Sequence, residues 1–247
     1  MEREVVITGD GSTTIHLPQW DEQYHSKHGA IQEAYHVFIK HGLNYFCFKK
    51  EISIDVTSSA VEKSQKVWNE PISILEIGFG TGLNAFITLL EAEKLKVKIE
   101  YVGVEGYPVG MNEIEQLNYP NQLEANGKEP LFKTMHEISW EIPHAISNNF
   151  SLTKQNRFFS EIEETNSYNL IYFDAFGARV QPELWTETIF KKMFDALKEN
   201  GALVTYAAKG SVRRAMQAVG FLVEKLPGPP GKREMLRGTK HSMTQLK

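Results

Sequence analysis

Ile72-Ser73-Ile74-Leu75-Glu76-Ile77-Gly78-Phe79-Gly80-Thr81-Gly82-Leu83-Asn84 decides how the rest of the chain is read. The first six residues are mostly apolar and β-branched, as in a parallel strand covered on both faces. Three glycines alternate through the next five positions, and Leu83-Asn84-Ala85-Phe86-Ile87-Thr88-Leu89-Leu90 then opens a helical pattern. A strand, a glycine turn and a helix make a nucleotide-binding unit. Missing side chains let a ligand approach the backbone, and the helix N-terminus offers free N–H groups. The dinucleotide form G-x-G-x-x-G needs a third glycine where Leu83 stands. The spacing here is Glu-x-Gly-x-Gly-x-Gly, with Glu76 two residues ahead of Gly78. Such a turn can exist without a ligand; the flanking strand, acid and helix favour one.

Outward from this stretch the alternation is regular. Strands are expected over 72–77, 98–105, 150–154, 169–174, 202–207, 221–225 and 234–237, with helices over 82–94, from Pro108 to about Asn118, from Pro182 to Glu199 closed by Asn200-Gly201, and over 211–219. The polar stretch 119–149 is expected to hold only short helices. Strands alternating with helices imply an α/β fold with a mostly parallel sheet covered on both faces. The last two strands are too close for a helical crossover, so that pair should be antiparallel. Upstream, 4–18 alternates around Asp10-Gly11 and predicts a hairpin. A helix should follow from Ile31 to about Lys40. Residues 44–70 read ambiguously: Glu51–Val56 suits a strand or the entry to a helix through Val61 to Trp68. The chain divides into a small N-terminal extension, 1–70, and a main domain, 71–247.

With 41% hydrophobic and 23% charged residues, the 247-residue chain has an ordinary globular composition. No apolar run approaches a membrane span, and Met1-Glu2-Arg3-Glu4 lacks the layout of a signal peptide. The single cysteine, Cys47, excludes an internal disulfide and makes a reducing cytoplasm the simplest setting. The net charge of −4 conceals an asymmetry: Lys209 to Lys247 carries nine Lys or Arg against two acids. That end is either a face aimed at phosphate or a solvated surface. His25, His28 and His36 have no acid cluster at ligand spacing, so no metal site is expected.

Ligands of doubly wound sheets lie beyond the carboxyl ends of the strands, where Glu76, Glu105 and Asp174 fall. Glu105, twenty-three positions after Gly82, is placed to accept ribose hydroxyls. The third strand ends without an acid, which leaves Asn156 as the candidate adenine contact. Asp174 ends an apolar strand, and because burying an unpaired carboxylate is costly, it either lines the site or satisfies a turn.

Glu-x-Gly-x-Gly-x-Gly resembles the first motif of class I methyltransferases, which bind S-adenosylmethionine. Further residues narrow the likeness: Gly78-Phe79-Gly80-Thr81-Gly82-Leu83-Asn84, Asp174-Ala175-Phe176, Gln181-Pro182-Glu183-Leu184-Trp185, Val212-Arg213-Arg214, Gly220-Phe221 and Gly231-Lys232-Arg233-Glu234-Met235. Together with Tyr24-His25-Ser26-x-x-Gly29-Ala30-x-x-Glu33, they resemble the methyltransferase domain of the MnmC family and its stand-alone MnmD relatives across roughly 5–240. The resemblance implies a seven-stranded class I methyltransferase sheet with an antiparallel last strand. It also implies methylation of the exocyclic amine of 5-aminomethyl-2-thiouridine at the tRNA wobble position, with a separate enzyme supplying that amine and no oxidase domain here.

The cofactor set implied is Glu76, Gly78, Gly80, Gly82, Leu83, Asn84, Glu105, Asn156 and Asp174. Asp174 would also orient the amine and take its proton. Tyr24, His28, Glu33 and Phe176 would meet the substrate, and Lys209, Arg213, Arg214, Lys232 and Arg233 its phosphates. Trp185 suits either the pocket wall or a helix-face core position. Two departures stand out. Gly177-Ala178 replaces the family's usual Ser-Pro or Ala-Pro, and the 44–70 insert is long. The rival readings are a methyltransferase for a small-molecule amine and a binding module that keeps the fold without the chemistry.

Overall fold

The computed structural model describes residues 2–47 and 70–241. The alternatives for 51–56 and 61–68 fall outside those residues. The N-terminal part is a three-stranded antiparallel sheet, β1 (Glu4–Ile7), β2 (Thr13–Leu17) and β3 (Glu22–Gln23). Asp10 fixes its first turn: its Oδ1 accepts from Thr8 Oγ1 at 2.9 Å and from Ser12 N–H at 3.1 Å. Its Oδ2 accepts from Gln32 N–H at 3.0 Å, which ties the hairpin to α1 (Ala30–Ala34). That helix continues as a π-helix, Tyr35–Asn44, longer than the run to Lys40 expected from the sequence.

The main sheet has eight strands: β4 (Ile72–Ile77), β5 (Ile99–Val104), β6 (His144–Ser147), β7 (Phe150–Gln155), β8 (Tyr168–Phe173), β9 (Leu197–Thr205), β10 (Leu222–Pro227) and β11 (Glu234–Thr239). Their order is β10-β11-β9-β8-β4-β5-β7-β6. β7, β5, β4, β8 and β9 run parallel, and β11 is antiparallel to both its neighbours. This is the class I methyltransferase sheet with one added strand. β6 was not expected: it lies in the stretch assigned to short helices and pairs antiparallel with β7 across Asn148-Asn149. A two-residue Asn loop between Ser147 and Phe150 is a hairpin signal.

The helices are α2 (Leu83–Leu95), α3 (Met111–Ile114), α4 (Tyr119–Gln122), α5 (Glu129–Glu137), α6 (Glu187–Ala196) and α7 (Gly210–Ala218). Two differ from expectation. The helix after Pro108 is only the single turn α3. The Pro182–Glu199 helix is a 3-10 turn, Pro182–Trp185, followed by α6, which ends at Ala196 because Leu197 is already extended. Asn200, at φ 61, and Gly201 lie instead where the β8–β9 register slips.

Alternation along the strands divides the core. Ile72, Ile74, Leu170, Tyr172, Ala202 and Val204 face one side with α2 and the π-helix residues Val37, Phe38 and Leu43. Leu75, Ile77, Ile171, Phe173 and Leu203 face the other with α6 and α7. The π-helix lies flush on the sheet at Gly42, where a Cβ would come within 3.1 Å of Val204 and 3.2 Å of Tyr172. The N-terminal residues therefore bury the same sheet face that carries Glu76. No helix among the described residues is long and apolar enough to cross a membrane.

Candidate active site

β4 stops because Gly78 turns the backbone to φ +91, where a side chain is strained and its Cβ would lie 2.8 Å from the carbonyl oxygen of Asp174. Gly78 and Phe79 N–H groups both donate to Val104 O at 3.0 Å, so the end of β5 fixes the turn. Gly78 and Gly80 line a cavity of about 1050 Å³ at the carboxyl ends of the parallel strands. Tyr24 covers Gly80, and Phe176 meets Tyr24 edge-on at 5.0 Å. Gly82 does not face the cavity: a Cβ there would lie 2.9 Å from His136 of α5. Leu83 is a core residue.

Glu105, immediately after β5, is buried on the cavity wall. Its Oε2 accepts from Gly80 N–H at 3.0 Å and its Oε1 from Tyr107 N–H at 2.8 Å. Burial raises its pKa, and the two backbone donors oppose that shift. Asn156 is exposed and stands off the cavity wall, donating from Nδ2 to Glu105 O at 2.9 Å. The wall beyond β7 is instead Phe158, Phe159 and Ser160. Arg3, also unanticipated, lines the cavity and donates to Pro108 O at 3.0 Å and Tyr107 O at 2.8 Å, clasping the loop after β5. The Phe158-Phe159 pair directly after a strand was the available signal; Arg3 offered none.

Behind the turn, Asn84 in the first turn of α2 joins two acids. Its Nδ2 donates to Glu76 Oε1 at 2.9 Å and to Asp174 Oδ2 at 2.8 Å. Complete burial drives the Glu76 pKa well up, against the Asn84 hydrogen bond. Asp174 rises to about 7, chiefly through burial and then through the neighbouring Glu33 charge, against the Asn84 hydrogen bond and Lys232. An acid at that value exchanges protons near neutral pH.

Glu33 of α1 is buried, accepts from Ser26 N–H at 2.9 Å, and pairs through Oε1 with Lys232 Nζ. Lys232 therefore points inward and lies 3.8 Å from the centroid of the Tyr206 ring. The Tyr206 hydroxyl donates to Ala175 O at 2.9 Å. Burial holds His25 near pKa 4, so it is neutral between Thr14 Oγ1 at 3.0 Å and Thr81 Oγ1 at 3.5 Å. His28 is exposed and packs on Gly231.

Trp185 is a core residue against Phe173 and Phe190; its Nε1 donates to Phe176 O at 2.8 Å and props the loop after Asp174. Lys209, Arg214 and Arg233 are exposed, and Arg213 is half-buried. The charges of Arg233 and Arg213 both act on Glu234, so α7 and the start of β11 share one basic face. Among the described residues no group of three or more His, Cys, Asp or Glu is placed to hold a metal ion. The arrangement offers a roomy hollow floored by backbone, a carboxylate at its rim, and beside the turn an acid that can take a proton.

A family described as S-adenosyl-L-methionine-dependent methyltransferase matches residues 140–241. The tRNA 5-methylaminomethyl-2-thiouridine biosynthesis bifunctional protein MnmC of Actinobacillus pleuropneumoniae is 27% identical over 92% of this chain and 34% of its own length. MnmC of Cupriavidus metallidurans is 26% identical over 94% of this chain and 33% of its own. The chain thus spans about a third of the length of the curated relatives it matches. Among solved structures, MNMC2 from Aquifex aeolicus superposes with a TM-score of 0.72 at 21% identity, covering 98% of this chain and 71% of that one. A spermidine synthase in complex with the transition-state analogue AdoDATO gives 0.50 at 14% identity, covering 93% and 70%. The class I methyltransferase fold and the resemblance to MnmC are both borne out.

Proposed function

We propose that this chain transfers a methyl group from S-adenosylmethionine to the exocyclic amine of 5-aminomethyl-2-thiouridine at the tRNA wobble position. The observation that carries this reading is the Gly78–Gly80 turn opening onto a cavity of nucleoside size, with Asp174 hydrogen-bonded at its back. The residues fit the cofactor: Gly78 and Gly80 present bare backbone, Glu105 supplies a rim carboxylate for ribose hydroxyls, and Tyr107, Phe158 and Phe159 offer flat apolar walls. Asn84 is better read as a support for Asp174 than as a cofactor contact.

When bound, S-adenosylmethionine supplies a methyl group already activated on a sulfonium. The protein's part is to orient the amine, exclude water and remove one proton. Asp174, at about 7, is suited to take it. Tyr24 and Phe176 wall the entrance where an unstacked uracil would lie, which for an anticodon-loop base costs little. Lys209, Arg213, Arg214 and Arg233 would meet phosphates. In this reading residues 1–70 are an extension that contributes one wall, residues 71–247 carry the transfer, the setting is cytoplasmic, and a separate enzyme supplies the amine.

The test is incubation with labelled S-adenosylmethionine and tRNA from cells lacking the modification, followed by nucleoside analysis. Label in the methylaminomethyl nucleoside is expected. Label absent from tRNA but present on a small amine would replace this substrate with the rival one.

A further inference from the structure

We infer that Lys232 is a positioning residue that sets the charge of the amine site, so that Asp174 can take the proton of the incoming ammonium and leave a free amine. This rests on the amine-methylating reading above. Lys232 sits in a basic, Pro- and Gly-rich loop, where its neighbours suggest a phosphate contact. Its side chain does something else. The ammonium pairs with Glu33, whose side chain is only 8% exposed, and lies 3.8 Å from the centre of the Tyr206 ring. A cation held between a buried carboxylate and an aromatic face is not free to follow a phosphate backbone. Tyr206 in turn bonds Ala175 O, next to Asp174, so the clamp and the acid share one scaffold.

The charges around Asp174 can be counted element by element. α1 contributes Glu33, and the β10–β11 loop contributes Lys232. β4 contributes Glu76, whose pKa burial pushes well up, toward the neutral form. The Tyr101 and Tyr206 phenols, from β5 and the end of β9, are pushed well up by burial and stay neutral. Glu22 of β3, which faces Tyr206, is paired with Arg179 at 3.1 Å. Lys232 therefore offsets the Glu33 charge beside Asp174.

A primary alkyl amine enters as an ammonium, without a lone pair to give. At Asp174 one N–H bond breaks, its electron pair stays on nitrogen, and the proton forms an O–H bond on the carboxyl, later returned to solvent. Without Lys232 the unpaired Glu33 charge would add to that of Asp174, bind the ammonium more tightly and hold its proton.

The experiment compares Lys232→Met, Lys232→Arg and the double variant Glu33→Gln/Lys232→Met. In Lys232→Met the acid limb of kcat/KM should move about one pH unit upward from about 7, roughly a fivefold loss at pH 7, with KM no higher. Lys232→Arg should keep the wild-type profile. The double variant restores the site's net charge and should bring the limb back. A raised KM with an unmoved limb and a salt slope lower by about one would make Lys232 a phosphate contact. Equal loss at every pH, unrestored in the double variant, would make it structural. Either result overturns the inference.

Wild-type enzyme that methylates no amine-bearing tRNA would remove the proposed function instead. The titration of Asp174, followed by carbon NMR without substrate, then decides alone. An upward move in Lys232→Met reversed in the double variant upholds the assignment, and no move overturns it.

Discussion

Between Gly78 and Gly80 the cavity is walled by backbone, whereas Trp20, Tyr24 and Phe176 wall it with side chains, and Asp174 lies next in sequence to its Ala175–Phe176 wall. The first wall is held by hydrogen bonds to the ends of adjacent strands, through Val104 O and the Glu105 carboxylate. The second sets Tyr24 against Phe176, and adjoining it Glu33, Asp174, Tyr206 and Lys232 come together from distant parts of the chain. A backbone wall can take any ligand that fits its shape, so it suits a cofactor; a side-chain wall discriminates, so it suits a substrate. On this division, changes in the first wall should alter cofactor affinity, and changes in the second should alter turnover.

The sharpest break of that division is Asp174→Ala. It should lower kcat by about 10²–10⁴-fold, the usual worth of a proton acceptor, with cofactor affinity by calorimetry within a few-fold. In the wild type, turnover should climb as pH rises through about 7, because the acid accepts a proton only once it has lost its own. Undiminished turnover in the variant would remove Asp174 from the chemistry. Next in size is Gly78→Ala in the other wall. An L residue at φ +91 with its Cβ 2.8 Å from Asp174 O should cost about 1–3 kcal/mol. Cofactor affinity should fall, with kcat at saturation less affected. The reverse pattern would show that the turn acts on the substrate side.

The two walls were unequally legible in the sequence. The glycine turn, the acid after β5 and the antiparallel final strand pair follow from spacing within a few residues, and each is found where it was read. For Lys232 the resemblance and its basic neighbours point to phosphate; its partner Glu33 lies 199 positions away, and no local pattern encodes that turn inward. Asn84 was read with the cofactor motif it ends, yet its amide bridges acids 8 and 90 positions distant. Arg3 reaches the cavity only because β1 lies beside the loop after β5, a neighbourhood set by tertiary packing.

A smaller effect tests where the substrate wall continues onto the surface. Arg213→Ala with Arg233→Ala removes two cations from the face shared by α7 and β11. Affinity for tRNA should fall about tenfold or more at low ionic strength, and the slope of log affinity against log salt should lessen by about two. Equal binding at every salt concentration would move the RNA to another face.

The last prediction asks whether Glu76, joined through Asn84 to Asp174, keeps its proton in the fold, the direction in which burial pushes it. Its folded-state pKa lies well above the ordinary value of 4.5, so the folded protein holds a proton that the unfolded chain has released. Stability from this group is therefore complete below about 4.5 and declines as pH rises toward the folded value, by up to about 1.4 kcal/mol per pH unit. Glu76→Gln keeps an oxygen for Asn84 and cannot ionise. Its unfolding free energy, from urea titrations at several pH values, should fall less steeply with pH than the wild type's above 4.5. Asp174, raised from 3.8 to about 7, adds a slope of the same sign in both proteins, so the difference between them isolates Glu76. Parallel curves would mean that Glu76 is ionised in the fold. Asn84 would then link two charged carboxylates, and the high proton affinity of Asp174 would owe as much to Glu76 as to its own burial.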